Sequence, residues 1–175
     1  RMGSVTSSSK FVSVIMAAYN AEETIEAAIR SILLQTHDNF ELIICDDAST
    51  DNTWCLMRSL ADEDSRIRLI RQEKNRGSAV ARNRCLLQAQ GEYIAIMDAD
   101  DLCSENRLAV QVSFLEKHRE VAFVGLLGEV FHNIPGDCSK CYPYVAKPAA
   151  KDFLMTLPFV HASLMFRSTA IGRGY

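Results

Sequence analysis

"FVSVIMAAYNAEETIEAAIRSILLQTHDNFELIICDD", Phe11 to Asp47, changes its period twice. Phe11 to Ala17 is an apolar, β-branched run and reads as a buried strand. Asn20, with Glu23 three residues on, reads as an N-cap and its capping-box partner. Ile25, Ala28, Ile29, Ile32 and Leu33 then recur at helical spacing. Phe40 to Asp47 is a second apolar strand. Two strands that are apolar on both faces, joined by an amphipathic helix, predict a parallel pair inside an α/β domain.

The same alternation continues outward. Asp51 reads as the N-cap of a helix carrying Trp54, Leu56, Met57 and Leu60, and Ile67 to Arg71 as a third strand. Gly77 and Ser78 open a helix with Ala79, Val80, Asn83, Leu86 and Leu87 on or near one face, and Gly91 ends it. Glu92 to Asp98 is a fourth strand. Ser104 caps a helix running through Leu108, Val112 and Leu115, and Val121 to Phe131 reads as a fifth strand bent at its two glycines. After His132 the rhythm breaks: residues 133–148 read as loop, 149–157 as a short helix and Phe159 to Arg167 as another strand. The fold class is α/β, a mostly parallel sheet with helices on both faces.

Bulk composition narrows the function. The 175 residues make one domain, with residues 11–175 as its core and residues 1–10 as a loose Ser-rich tail or tag remnant. A net charge of -3 with no basic block argues against nucleic acid. No apolar run approaches membrane-span length, and the N-terminal stretch has no apolar h-region. The expected location is cytoplasmic, with peripheral contact at the inner face of the cell membrane only through segments outside this sequence. Cys45, Cys55, Cys85 and Cys103 read as free thiols of a reduced chain. Cys138 and Cys141 form a C-x-x-C whose nearest further candidates, His132 and His161, are irregularly spaced. Two thiols in a loop is therefore preferred over a zinc site.

In an open parallel sheet, ligands bind beyond the carboxyl ends of the strands, where strand order reverses. Those ends carry Tyr19 and Asn20, Asp46 and Asp47, Asn75 to Gly77, and Asp98, Asp100 and Asp101. Crowded carboxylates repel, and a bound divalent cation relieves the repulsion. Magnesium or manganese takes one or two protein carboxylates and fills its shell with phosphate and water. Asp98 and Asp100 are two apart, so extended backbone would aim both to one side. Asp47 could accept from a base N–H, and Tyr19 could stack on a base. Each feature alone also has a structural reading: a helix cap for the aspartates, packing for the tyrosine. Together they predict a nucleotide diphosphate held through a metal.

The turn after the first strand, AAYNAEE, lacks G-x-G-x-x-G, which rejects a Rossmann dehydrogenase. No P-loop is present, and a Gly-rich basic loop of the nucleotidyltransferase kind is absent. A phosphotransfer domain would hold its acids at the first two strands; here they stand at the second and fourth.

The segments VSVIMAAYNAEETIEAAIRSILLQTHDNFELIICDDASTDNT and NRGSAVARNRCLLQAQGEYIAIMDADD resemble the family 2 glycosyltransferases of GT-A fold, with the motifs in the family's order. The resemblance runs from about Val12 to Tyr175. It implies transfer of a sugar with inversion from a nucleotide-sugar, with UDP expected, to a glycan, lipid-linked or other hydroxyl acceptor. It also implies a role in cell-surface polysaccharide or glycan synthesis. Ala17 and Tyr19 would line the base pocket and Asp47 would hold the uracil N–H. Arg82 would lie near the nucleotide or serve as a structural helix cation. Asp98 would meet the ribose or the metal's shell, and Asp100 would ligate Mn2+ or Mg2+. The Phe159 to Arg167 strand resembles the family's acceptor-side strand, and His161 would approach the diphosphate or acceptor or be a core histidine. The family usually has Pro at Ala17 and Gly at Ala48. Its general base, in a Glu-Asp pair, follows a Gly-Tyr like Gly174-Tyr175, so the base is expected beyond Tyr175, with Glu129 the nearest substitute. The alternative is a nucleotide-sugar-binding or interaction module without turnover.

Overall fold

A computed structural model describes residues 9–130, 140–141 and 161–170, with side chains at all of these except 130, 140 and 141. In chain order the elements are β1 (Val12–Ala18), α1 (Ile25–Leu33), β2 (Phe40–Asp46), α2 (Thr53–Glu63), β3 (Ile67–Arg71), α3 (Ser78–Gln88), β4 (Tyr93–Asp98), α4 (Arg107–Lys117), β5 (Phe123–Val124), β6 (Glu129–Val130), β7 (Lys140–Cys141) and β8 (Met165–Arg167). The main sheet runs β3-β2-β1-β4-β8-β5. β3, β2, β1 and β4 are parallel, whereas β8 is antiparallel to both of its neighbours. The chain steps outward from β1 to β3, then crosses back to place β4 on the other side of β1. The order therefore reverses between β1 and β4, and the crevice beyond their carboxyl ends is the expected ligand position.

Side chains alternate across the sheet as the strand period demands. Val12, Val14, Met16 and Ala18 of β1 join Ile25, Ile29 and Ile32 of α1, Met57 of α2 and Leu108 of α4 in the larger core. Ile15 joins Ile43, Cys45, Ile94, Ile96, Ala81 and Cys85 under α3. Each fully buried Ile, Leu or Val side chain contributes about 1.5–3 kcal/mol relative to exposure. Both faces are covered, as expected, three helices to one.

Several boundaries depart from the sequence reading. Asn20 does not cap α1: the helix starts at Ile25 behind Thr24, and Asn20 adopts a left-handed φ of 46°. Its Oδ1 accepts from Thr50 N at 2.9 Å, so the side chain spans two loops instead. α4 begins after Asn106, not at Ser104, whose carbonyl accepts from Gln35 Nε2 at 2.7 Å. α3 buries Ala81 and Cys85, while Val80 and Leu87 face solvent, Leu87 at 83 % exposure. The predicted stripe was rotated because small residues, not the larger aliphatics, meet the sheet. Gly91 does not end α3, which stops at Gln88. It lies against β1, where a Cβ would fall 2.4 Å from Ser13 N. The single fifth strand is two short ones in different sheets, β5 and β6. His161–Ser163 form a 3₁₀ turn, leaving Met165–Arg167 as the strand. Among the thiols, Cys45 and Cys85 are buried and Cys55 is exposed.

Ser9 and Lys10, placed in the tail by sequence, are tied down: Lys10 pairs with Glu92 at 2.7 Å and Asn39 donates to Ser9 O. The short helix at 149–157, Cys138 and the chain end at Tyr175 lie outside the described residues.

Candidate functional site

The β1–α1 and β2–α2 loops interlock. Asn20 N donates to Ser49 Oγ at 3.0 Å and Ala21 N to Thr53 Oγ1 at 2.7 Å. Glu22 N donates to Asp51 Oδ2 at 3.1 Å, and Asn52 N returns to Glu22 Oε2 at 2.9 Å. Asp51 sits one residue before the N-cap position and accepts from Thr53 N at 3.0 Å. Burial pushes its carboxyl up, but the Thr53 and Glu22 donors outweigh that and hold it below its ordinary range. Much of the acid-rich sequence after β2 is thus spent on holding two loops together. Asp46 is fully buried, accepting from Ser49 N at 3.2 Å beside Arg71 at the same distance.

These loops wall a cleft of about 590 Å³ lined by Ala17, Tyr19, Ser78, Arg82, Asp98 and Asp100 among others. Its floor is the switch point, where Ala17 and Asp98 are register partners across β1 and β4. Tyr19 is 48 % exposed, so it is not a packing residue. Arg82 reaches from α3 to place Nη2 2.5 Å from Asp98 Oδ1, and its own Nε is buried without a partner among the described residues. Five of the six residues singled out by sequence, Ala17, Tyr19, Arg82, Asp98 and Asp100, meet in this cleft.

Asp47 does not line it. It is 2 % exposed, at the end of β2, with Oδ1 accepting from Gln72 Nε2 at 2.5 Å and Arg76 N at 2.8 Å. Gly77 N donates to Oδ2 at 2.7 Å. The aspartate thereby folds the loop that launches α3, where Gly77 adopts φ 91°. Gln72, the donor that sequence reasoning missed, is 4 % exposed. Its signal was weak: a polar residue one position past an alternating strand.

Asp101 is turned away from the cleft and its carboxyl is pushed up, chiefly by burial and then by Asp100 and Asp98. It lines a separate cavity of about 560 Å³ with Arg107, Leu127, Glu129 and Ser163. Glu129 therefore stands apart from Asp100. His161 is half-buried, and burial lowers its pKa; Arg82 lowers it further while Asp98 opposes, which places it near that ion pair.

No group of three His, Cys, Asp or Glu side chains is placed to hold a metal among the described residues. Beside Glu22, Glu23 and Asp51 on its loop wall, the cleft offers Asp98 and Asp100 two positions apart, an all-oxygen and incomplete donor set. That set fits magnesium or manganese, which leave most positions to phosphate and water, and does not fit a closed zinc cage. An exposed aromatic, Tyr19, and the Arg82 guanidinium beside Asp98 line the same cleft.

The family model for Glycosyl transferase family 2 matches residues 13–138. EpsE of Bacillus subtilis (strain 168) is 43% identical over 91% of this chain and 57% of its own length. The Escherichia coli UDP-Glc:alpha-D-GlcNAc-diphosphoundecaprenol beta-1,3-glucosyltransferase WfgD is 44% identical over 70% of this chain and 47% of its own. The chain thus spans about half the length of these curated relatives. Among solved structures, mannosyltransferase PcManGT from Pyrobaculum calidifontis, in complex with GDP-Man and Mn2+, superposes with a TM-score of 0.65 at 27% identity, over 89% of this chain and 44% of that one. TarS of S. aureus 1-349, in complex with UDP, shares the fold with a TM-score of 0.66 at 23% identity, over 90% and 47%. No helix of the described residues is long and apolar enough to cross a membrane.

Proposed function

We propose that this chain, which belongs to glycosyl transferase family 2 and has the GT-A fold, is the donor-binding core of an enzyme that moves a sugar from a nucleotide diphosphate sugar to an acceptor hydroxyl. The observation that carries this reading is the pairing of Ala17 with Asp98 at the switch point, with Tyr19, Arg82 and Asp100 lining the same cleft. UDP is the expected nucleotide, in line with the UDP-Glc named for WfgD; PcManGT, with GDP-Man, is the reason to test guanine beside it.

Tyr19 and Ala17 would seat the base, while Asp47, buried outside the cleft's lining, would act by shaping the Arg76–Gly77 turn through its hydrogen bonds to both amides. Asp98 would take the ribose or the cation's shell, and Asp100 would be the direct ligand of Mn2+ or Mg2+. When bound there, the cation supplies Lewis-acid neutralisation of the leaving diphosphate. Arg82 adds a fixed positive charge beside the same group. The acceptor oxygen would attack from the face opposite the nucleotide, inverting the anomeric carbon. Its proton would pass to a general base expected beyond Tyr175, outside the described residues. The acceptor is a glycan, a lipid-linked glycan or another hydroxyl compound. Synthesis of a surface polysaccharide, at the cytoplasmic face of the membrane, is the setting that fits a diphosphoundecaprenol-directed relative.

Turnover is tested by incubating the chain with UDP-glucose or UDP-N-acetylglucosamine and Mn2+ and measuring UDP release. Metal-dependent release that Asp100→Ala abolishes supports the enzyme. Because the general base is expected beyond Tyr175, UDP binding without release supports a nucleotide-sugar-binding module only when it persists in a version of the chain extended past that residue.

A further inference from the structure

Among the described residues α3 is the single helix on its face of the sheet, and it packs through small residues: Ala81 and Cys85 are buried under it. Val80, Arg84 and Leu87, at i, i+4 and i+7, share the opposite stripe and face solvent, Leu87 most of all. The turn that leads into the helix adds Lys74 and Arg76, both exposed. From Lys74 to Gly91 the chain carries four cations and no acid. One of the four, Arg82, is tied to Asp98. Lys74, Arg76 and Arg84 meet no carboxylate among the described residues, whereas Arg68 and Arg71 just before them each pair with one. Glu73 precedes the run, and Glu92 beyond it is held by Lys10 at 2.7 Å.

Exposed aliphatic side chains set among free cations suit a partner that is anionic at its surface and apolar beneath. α4 is the contrast: Val110 and Phe114 are also exposed, but that helix and its exit carry Glu116 and Glu120, which an anionic surface repels. The net charge of -3 opposes attraction of the chain as a whole, so attachment has to be local. We infer that the outer face of α3, with Lys74, Arg76, Arg84 and Leu87, docks on an anionic lipid bilayer. The inference rests on the proposed reaction at the cytoplasmic face of the membrane. Ser78 and Arg82 of the same helix line the donor cleft, so docking brings one wall of the cleft to the headgroup layer, where a lipid-linked acceptor presents its hydroxyl. Each free basic side chain is expected to strengthen partition about fivefold. Burial of Leu87 in the interface is expected to add about tenfold. Membrane contact thus has a place within this sequence, where composition put it outside.

The test is co-sedimentation with vesicles of phosphatidylcholine alone and of an equal mixture with phosphatidylglycerol, at low and at physiological salt. The chain is compared with Arg84→Glu, Leu87→Ser and, on α4, Phe114→Ser. All four substituted sites are exposed or flank exposed ones, and thermal midpoints and UDP binding with Mn2+ are measured alongside. The chain is expected to bind the mixed vesicles, to bind phosphatidylcholine far less and to weaken as salt rises. Arg84→Glu should cut binding more than tenfold, because it removes one attraction and adds a repulsion. Leu87→Ser should cut it about tenfold, and Phe114→Ser should leave it unchanged. UDP binding should be the same throughout. Equal binding to both vesicle types, or binding that Arg84→Glu and Leu87→Ser leave intact, would overturn the inference. Absence of vesicle binding in a chain that still binds UDP would overturn it too, leaving the donor site standing and the α3 face to a protein partner. Vesicle binding with the expected variant pattern but no UDP binding would support the docking face and count against the donor reading alone.

Discussion

Arg82 Nη2 stands 2.5 Å from Asp98 Oδ1, so a guanidinium meets the acid that ends β4. The two side chains are partly buried, at 22% and 29% exposure, so solvent screens the pair incompletely. A cation already on Asp98 competes with a divalent ion but welcomes a diphosphate. Arg82→Met should therefore split two affinities. Mn2+ alone should bind several-fold tighter, because the competing charge is gone. UDP in the presence of Mn2+ should bind about tenfold more weakly, because a charge-assisted donor is lost. Calorimetry with each ligand separately reads both signs.

Ala48 is held at φ 63°, a conformation in which a Cβ crowds the following carbonyl. Strain of about 1–2 kcal/mol is expected for an L-residue there. Gly relieves it but adds freedom to the unfolded chain, which offsets about 0.4–1 kcal/mol. Ala48→Gly should be stabilising by about 0.5–1 kcal/mol in urea unfolding. The same turn explains why the family's usual residue at this position is glycine.

Asp64 gives a pH signature. Its carboxyl is held below the ordinary range, chiefly by the Arg66 hydrogen bond at 2.8 Å. Arg66 in turn lies 4.4 Å over the Phe40 ring and donates to Leu33 O at 3.2 Å. A depressed folded pKa contributes stability that is complete above the unfolded value of about 3.9. It is lost as the pH falls through the lower folded value. Asp64→Asn should thus be less stable than the parent at pH 7, and the gap should close as the pH falls below the ordinary carboxylate range. Thermal unfolding across that range tests it.

The β1–α1–β2 unit was legible because its periods are clean: the sheet's two cores divide β1 between alternate residues as expected. Helix starts were misplaced where residues that resemble caps are engaged elsewhere. The Asn20 side chain joins a loop distant in sequence, and the Ser104 hydroxyl donates to Asn106 Oδ1 while its carbonyl accepts from Gln35. The α3 face was misread because Ala81 and Cys85 carry too little apolar weight to outvote Val80 and Leu87. At the site, β-strand spacing and topology brought Ala17, Tyr19, Arg82, Asp98 and Asp100 together. What sequence alone could not reveal was the burial of Asp47 and its lock by Gln72, since that contact spans 25 positions and depends on the β2–β3 register.

The central claim is that Asp98 and Asp100 mark a clamp for a metal and a nucleotide diphosphate. The most direct test is calorimetric titration of the chain and of Asp100→Ala with UDP, with and without Mn2+, beside GDP and dTDP. The account predicts UDP binding that strengthens with Mn2+, exceeds that of the other two nucleotides and is lost in Asp100→Ala. Nucleotide binding of equal strength with and without Mn2+, unchanged by Asp100→Ala, would contradict it.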